Sequence, residues 1–218
     1  MLPLPLYTNL AALHADAARC RACRRCESRA QVVQGHGNPH ARIVVVGEAP
    51  SATDDRTGEP YTGPAGPLLH ELLREAGIDP NDIWITNVVR CFAGREREGG
   101  GVDNRTPTQR EMDACAMWLR GELGLIAPRV VVTLGMTAAR AVLNLQPPLG
   151  QARGQLVRGA GGLAGIGTIQ PAYLMRVARH DADDERVRVA RALIVGDLVQ
   201  ARVASESAGA EAGSSGAS

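Results

Sequence analysis

Five cysteines are spaced in a way that could bind a metal. Cys20 and Cys23 form a C-x-x-C pair, Cys26 follows three residues on, and Cys91 and Cys115 lie far downstream. Two neighbouring thiolates and two distant ones can close a tetrahedral four-sulfur site, and zinc or an iron–sulfur cluster would both fit it. The plainer alternative makes Cys115 a small buried apolar residue and leaves the N-terminal trio to bind a metal alone or nothing. A second chemical candidate lies in "GEAPSATDDRTGEPYTGPAG", Gly47 to Gly66. Glu48 follows directly on the apolar run "RIVVVG" and is the one charged group projected at that sheet edge. The stretch is neither G-x-G-x-x-G nor a P-loop, because no Gly-Lys-Ser/Thr follows, so it gives nucleotide triphosphate hydrolysis little support. Asn87, closing "DIWITN", offers a donor and an acceptor on one amide; its bland reading is a strand-end turn residue. The segment "RCRACRRCESR" concentrates Arg19, Arg21, Arg24, Arg25 and Arg29, a density that suits a polyanion or simply a solvated face.

These groups need elements to hold them, and the hydrophobic pattern supplies them. "RIVVVG", "DIWITNVV" and "RVVVTLG" are continuous β-branched runs, typical of strands buried on both faces. Between and after them come helical patterns: "NLAALHADAARC", Pro64 to Ala76 with Gly77 placed as its C′ residue, and "MTAARAVLNL". "TPTQREMDACAMWLRGEL" opens with Thr106, Pro107 and Gln109, a capping-box signature with proline at the first helical position. "QLVRG" and "GIGTIQP" read as shorter strands, and "DADDERVRVARALIVGDLVQ" as a long helix whose N-terminus gathers acids. Strand and helix alternation predicts an α/β fold with a mostly parallel sheet. In such folds ligands sit outside the carboxyl ends of the strands. The loops at Gly47, Asn87 and Gln170 would meet there.

The 218 residues suffice for one domain with a full core, and the net charge of +1 excludes no class of partner. No signal peptide or membrane span is expected in "MLPLPLYTNL", which points to a cytoplasmic protein and makes disulfides the less expected use of the cysteines. From about Ser205 onward the chain is small and polar, so residues 205–218 are expected to form a disordered tail behind a domain of residues 1–204.

The motifs resemble, in order, those of family-4 uracil-DNA glycosylases, the iron–sulfur branch of that superfamily. "CRAC" precedes the opening signature; "ITNVVRC", "NRTPTQREMDAC", "VVVTLGMTAARAVL" and "QPAYLMR" follow it, so the resemblance covers roughly Cys20 to Leu198. It implies a three-layer αβα domain and a monofunctional glycosylase that removes uracil or another deaminated base from DNA. It implies a [4Fe–4S] cluster on Cys20, Cys23, Cys91 and Cys115, with Cys26 a spare thiol. Tyr61 takes the place of the family's stacking phenylalanine, Asn87 that of the edge-reading asparagine, and Glu48 that of the pocket glutamate. Ala49 stands where other branches orient water, which leaves water activation unassigned, with Asp54 and Asp55 weak candidates. In the second signature Gln170 replaces histidine as donor to the leaving base; Tyr173, Leu174 and Met175 could wedge the gap left by a flipped base, and Arg176 could hold a phosphate.

Three departures matter. Gln170 is a neutral amide, "CFAG" replaces a Cys-Arg-Pro-Pro start, and "FAGREREGGGVDNRTP" is longer than usual, with Gly99–Gly101 suggesting a flexible loop near DNA. A related branch traps the sugar with a histidine in this region, but none occurs between His70 and His180, so that activity is not carried over. The expected partner is damaged DNA, with no membrane, and the chain is expected to be a monomer. The alternative function is a lesion-binding protein of the same fold with weak or no turnover.

Overall fold

The computed structural model describes residues 7–96, 100, 102–146, 148–179 and 185–214. Its centre is a six-stranded sheet. The strands are β1 (His36–Gly37), β2 (Ile43–Gly47), β3 (Ile83–Asn87), β6 (Val130–Leu134), β7 (Leu156–Arg158) and β8 (Ala164–Thr168); β4 (Gly94–Glu96) and β5 (Val102–Asn104) form a separate hairpin. The sheet order is β1-β3-β2-β6-β8-β7. β3, β2, β6 and β8 run parallel, and the short edge strands β1 and β7 run antiparallel to their neighbours.

The unalternating apolar runs have the expected cause. In β2, Ile43 and Val45 face a core layer shared with Ile83, Ile85, Val130, Val132 and Ile166. Val44 and Val46 face the other layer with Trp84 and Val131. Each fully buried Val, Leu or Ile contributes roughly 1.5–3 kcal/mol. On the first side lie α3 (Ala65–Glu75), α7 (Pro171–Ala178) and α8 (Glu185–Ser214), through Leu69, Leu73, Leu174, Ile194 and Leu198. On the second lie α1 (Leu10–Ala18), α4 (Gln109–Ile126) and α5 (Met136–Leu143), through Leu13, Trp118, Leu119 and Val142. The fold is a three-layer αβα sandwich, and two short helices, α2 (Ala52–Thr57) and α6 (Leu149–Ala152), decorate it.

Four expectations change. First, the cap of α4 lies two residues later than Thr106. Thr108 is the N-cap, its hydroxyl accepting from the Glu111 N–H while the Glu111 carboxylate accepts from the Thr108 N–H. An ionised carboxylate is a stronger acceptor than the Gln109 amide, which instead donates to Asp113. Second, the chain does not leave the fold at Ser205. That residue is buried, Arg129 donates to its carbonyl at 3.0 Å, and α8 continues to Ser214. Third, the stretch after Gly47 contains α2, whose Ser51–Asp54 capping box is complete. Fourth, the residues flanking Gly99–Gly101 pair as a β-hairpin; Gly99 and Gly101 themselves lie outside the described residues, as do Asp181, Asp183 and Asp184 before α8.

Buried charge pins the α1/α4 layer to the sheet. Glu122 on α4 is 0 % exposed and Arg90, just beyond β3, is 2 % exposed. Arg90 Nη2 lies 2.7 Å from Glu122 Oε2, and Arg90 Nη1 donates to Thr86 Oγ1 at 2.5 Å. Trp84 Nε1 donates to Oε2, the Gly35 N–H donates to Oε1, and His14 Nε2 lies 3.0 Å from Oε1. Burial works against the charge on Glu122, but Arg90 and the hydrogen bond with His14 hold its carboxyl down at about 2.

Glu122→Ala leaves the Arg90 guanidinium uncompensated and should lower the unfolding free energy by about 3–5 kcal/mol in urea at neutral pH. Folding depresses this carboxyl, so its contribution is complete above the ordinary value of 4.5 and is lost as the pH falls through about 2. The gap in urea midpoint between the unsubstituted and Glu122→Ala chains should therefore narrow across that acid range.

Candidate functional site

Two sites sit near the carboxyl ends of the parallel strands. The first is a cavity of about 550 Å³, lined by Ala49, Ser51, Asp54, Tyr61, Arg95, Asn104, Gln170, Met175, Arg176 and Arg179 among others. Its walls come from the segment after β2, the hairpin β4–β5 and the start of α7.

Tyr61 forms one wall in an unusual backbone state. Its φ is +58°, a left-handed conformation that costs a non-glycine residue about 1–2 kcal/mol. The neighbours enforce it. Asp54 Oδ1 accepts from the N–H and hydroxyl of Thr62 and from the Gly63 N–H, while Oδ2 accepts from the Ser51 N–H. Gly66 allows the Tyr61 carbonyl to press against its Cα; a Cβ there would lie 1.7 Å from that oxygen. Asp54 is thus a clamp with both oxygens engaged, and Asp55 receives the Ala30 N–H on Oδ2. Burial raises the Tyr61 phenol pKa, with Asp54 and Glu48 adding to the shift, so the hydroxyl stays protonated.

Beneath the Tyr61 ring lies Gly47. A Cβ there would fall 2.4 Å from Asn87 Oδ1 and 2.5 Å from the Tyr61 hydroxyl, so only glycine lets both side chains converge on that spot. Asn87 is 3 % exposed and its Oδ1 has no hydrogen-bond partner. A buried acceptor left open costs about 1–3 kcal/mol, which a ligand donor would recover. The Val88 N–H donates to the Gly47 carbonyl and the Val89 N–H to that of Glu48, continuing the β2–β3 pairing to the site. Glu48 itself is half-buried and does not line the cavity, although its charge acts on Tyr61.

Gln170 is the N-cap of α7, but its side chain caps nothing and lines the cavity. The helix N-terminus is therefore open, and Ala172 of its first turn also lines the cavity. Arg95, Arg176 and Arg179 line the cavity too and are exposed, and none has an ion pair or hydrogen bond among the described residues. Leu174 does not serve as a wedge: at 3 % exposure it belongs to the core under α7. Tyr173, 39 % exposed, and Met175, at the cavity, are the available side chains of that trio.

The second site is a cavity lined by Cys20, Cys23, Cys91 and Cys115, with Ala17, Ala22, Arg29, Val32, Arg90, Ala114 and Trp118. Cys26 lies outside it. Burial pushes the Cys115 thiol up to about 12, against the Arg90 N–H that donates to its sulfur at 3.5 Å. Burial also raises Cys91, against Arg29, whose Nη1 donates to the Cys91 sulfur at 3.4 Å. Charge on Cys20 or Cys23 would raise Cys91 further, and charge on Cys91 or Cys23 would raise Cys115. Cysteines gathered in an apolar hollow, where burial opposes ionisation of Cys91 and Cys115, would be ionised and neutralised together by a cationic core.

Two of the five arginines of this segment, Arg25 and Arg29, are engaged inside the molecule, while Arg19, Arg21 and Arg24 are exposed. Arg29 also donates to the Cys20 carbonyl at 2.7 Å, Arg25 pairs with Glu111 at 3.1 Å, and Arg19 pairs with Asp16. Glu111 sits one turn before Cys115 and is also held by Arg105, so these contacts tie the N-terminal cysteines to α4. Sequence reasoning did not single out Arg95, Asn104, Glu122 or the inward role of Arg29. Only Glu122 left a signal, a carboxylate in the apolar register of a helix.

Residues 34–194 match the family model described as Uracil DNA glycosylase superfamily. The chain is 38 % identical over 175 residues to a type-4 uracil-DNA glycosylase of Thermotoga maritima, covering 78 % of this chain and 87 % of that one. It is 33 % identical over 177 residues to a type-4 uracil-DNA glycosylase of Pyrobaculum aerophilum, covering 77 % and 85 %. A type-5 uracil-DNA glycosylase of Thermus thermophilus is 39 % identical over 140 residues, covering 57 % and 60 %.

The close approach at Gly47 is testable by stability. Gly47→Ala must displace Asn87 or Tyr61 and should cost about 1–3 kcal/mol in urea unfolding. Gly150→Ala, where a Cβ meets nothing within 4 Å, is the control and should cost nothing measurable.

Proposed function

The chain belongs to the uracil DNA glycosylase superfamily, and we propose on that footing that it hydrolyses the bond between deoxyribose and uracil, or another deaminated base, in DNA. It thereby opens base excision repair and leaves the strand uncut. The observation that carries this reading is the buried Asn87 amide, its Oδ1 unpartnered, beside the Tyr61 ring. A base must leave the stack to reach such a pocket. There Tyr61 stacks on its face, and Asn87 accepts from uracil N3–H while its amide donates to O4. When the C1′–N1 bond breaks, its electron pair stays with the base and charge gathers on O2. The Gln170 amide donates to that oxygen, and the open N-terminus of α7 favours the same charge. Water then bonds to C1′ and releases its proton. Glu48 stands behind the pocket wall, where its charge acts on Tyr61, Ala49 leaves room at the cavity, and Arg176 holds a phosphate. The unpaired Arg176 and Arg179 support a polyanionic partner.

The cofactor reading is a [4Fe–4S] cluster held by Cys20, Cys23, Cys91 and Cys115, with Cys26 spare. The cavity that these four thiols line together supports it. Among the described residues no three His, Cys, Asp or Glu side chains stand where they could share a single metal ion. When bound, such a cluster would cross-link the N-terminal segment to the β3 end and α4 and supply a one-electron centre. No helix among the described residues is long and apolar enough to cross a membrane. The protein is read as a cytoplasmic monomer.

Anaerobically purified protein should contain about four iron and four sulfide per chain. Cys115→Ala should lose them and Cys26→Ala should keep them; zinc in place of iron would contradict the assignment.

Turnover on an oligonucleotide containing one uracil separates an enzyme from a lesion binder. The enzyme releases uracil catalytically, and the binder leaves a stable unreacted complex. Gln170→Ala should slow single-turnover release by roughly 10- to 100-fold with little change in DNA affinity, because its donor matters most as charge develops. Gln170→His should speed release, and Asn87→Ala should impair base discrimination as well as rate.

A further inference from the structure

Gln170 leaves the cavity with a neutral donor where the departing base becomes an anion, and the structure supplies a cation on the hairpin wall of the same cavity. Arg95 lies on β4 and lines the same cavity as Gln170, Tyr61 and Ala49. It is exposed and has no hydrogen bond or ion pair among the described residues. Its hairpin partner is Asp103, which also lines the cavity but has interactions of its own. The other charged groups on the cavity are Asp54, whose oxygens are filled by backbone and Thr62 donors, and Arg176 and Arg179 on α7.

The base of the hairpin is anchored. The Arg105 N–H donates to the Ala93 carbonyl at 2.9 Å, and the Arg105 guanidinium grips Glu111 through two hydrogen bonds of 2.8 and 2.7 Å. Gly94 is packed between Phe92 and Val102: a Cβ there would lie 2.6 Å from the Phe92 ring and 2.5 Å from Val102 Cγ1. Arg95 therefore leaves a fixed point, one residue from that packing, with its head group unclaimed.

We propose that Arg95 is a further catalytic residue of this chain. Its guanidinium would donate to the leaving base alongside Gln170 and stabilise the negative charge that appears as the C1′–N1 electron pair moves onto the ring. The inference rests on the glycosylase reading. A charged donor binds an anionic acceptor about twice as strongly as a neutral one, and its effect is greatest where charge develops in the transition state. The shortfall of a glutamine in the second signature would thus be met by a residue on an element that the signature does not include.

The test uses single-turnover release at saturating protein from oligonucleotides carrying deoxyuridine or 5-fluoro-deoxyuridine. The fluorine stabilises the base anion and so lessens the need for an external cation. Arg95→Gln should slow uracil release by roughly 10- to 100-fold, should slow 5-fluorouracil release by distinctly less, and should leave DNA affinity within about threefold. Arg95→Lys should recover part of the rate. If Arg95→Gln instead keeps the full rate while affinity weakens and the salt slope of binding drops by about one, Arg95 is a phosphate contact and the inference is overturned alone. If the unsubstituted chain releases neither base, the glycosylase reading fails and takes this inference with it.

Discussion

The buried pair of Arg90 and Glu122 is the constraint on which the rest of the molecule depends. An ion pair in an apolar layer is weak evidence for stability unless its remaining hydrogen-bonding capacity is met; here the Glu122 side is met, while the Arg90 Nε is left without a hydrogen-bond partner. Glu122 receives Trp84, Gly35, His14 and Arg90, while Arg90 also fastens Thr86. A hydrophobic pair of equal volume could hold α4 against the sheet, but it would not fix where residues 86–91 lie along the helix. Thr86 precedes Asn87, and Arg90 precedes Cys91 while its own N–H donates to the Cys115 sulfur. One six-residue segment thus carries the proposed base reader and a proposed cluster ligand, and one ion pair sets the position of both.

Around that fixed segment, in the pocket or beneath its Tyr61 wall, lie groups that the fold leaves strained or unsatisfied. Tyr61 sits in a left-handed conformation, the Asn87 acceptor has no partner, Gln170 does not cap the helix it begins, and three arginines lack counter-charges among the described residues. The Tyr61 backbone and the Asn87 acceptor cost stability in the free protein, and all of these groups are of the type that a flipped, anionic, phosphate-linked substrate would satisfy. Some charged groups elsewhere are paired: Asp197 receives Arg153 and Thr168, and Arg191 grips Glu71 and Glu75.

Much of this was legible in the sequence because its cause is local. β2, β3 and β6 announced themselves by β-branched runs that only a sheet covered on both faces would bury, and the spacing of Cys20 and Cys23 is a property of one short segment. Asn87 and Gln170 could be placed at strand ends because each closes an apolar run. What failed was decided by distant partners. The α4 cap lies at Thr108 because Arg105 and Glu111 reinforce each other. Leu174 is buried because α7 lies on the α8 face of the sheet. Ser205 stays in the fold because Arg129, far away in the chain, binds its carbonyl. The hairpin hid in a run of glycines and charges whose pairing β4 and β5 reveal only in three dimensions.

A crystal structure with uracil bound tests the central claim most directly, since Asn87 holds an open acceptor in a buried place. The account predicts the base stacked on Tyr61, with its N3–H within about 2.7–3.2 Å of Asn87 Oδ1 and its O2 turned toward Gln170. Uracil bound elsewhere, or bound with Asn87 Oδ1 still unpartnered, would contradict it.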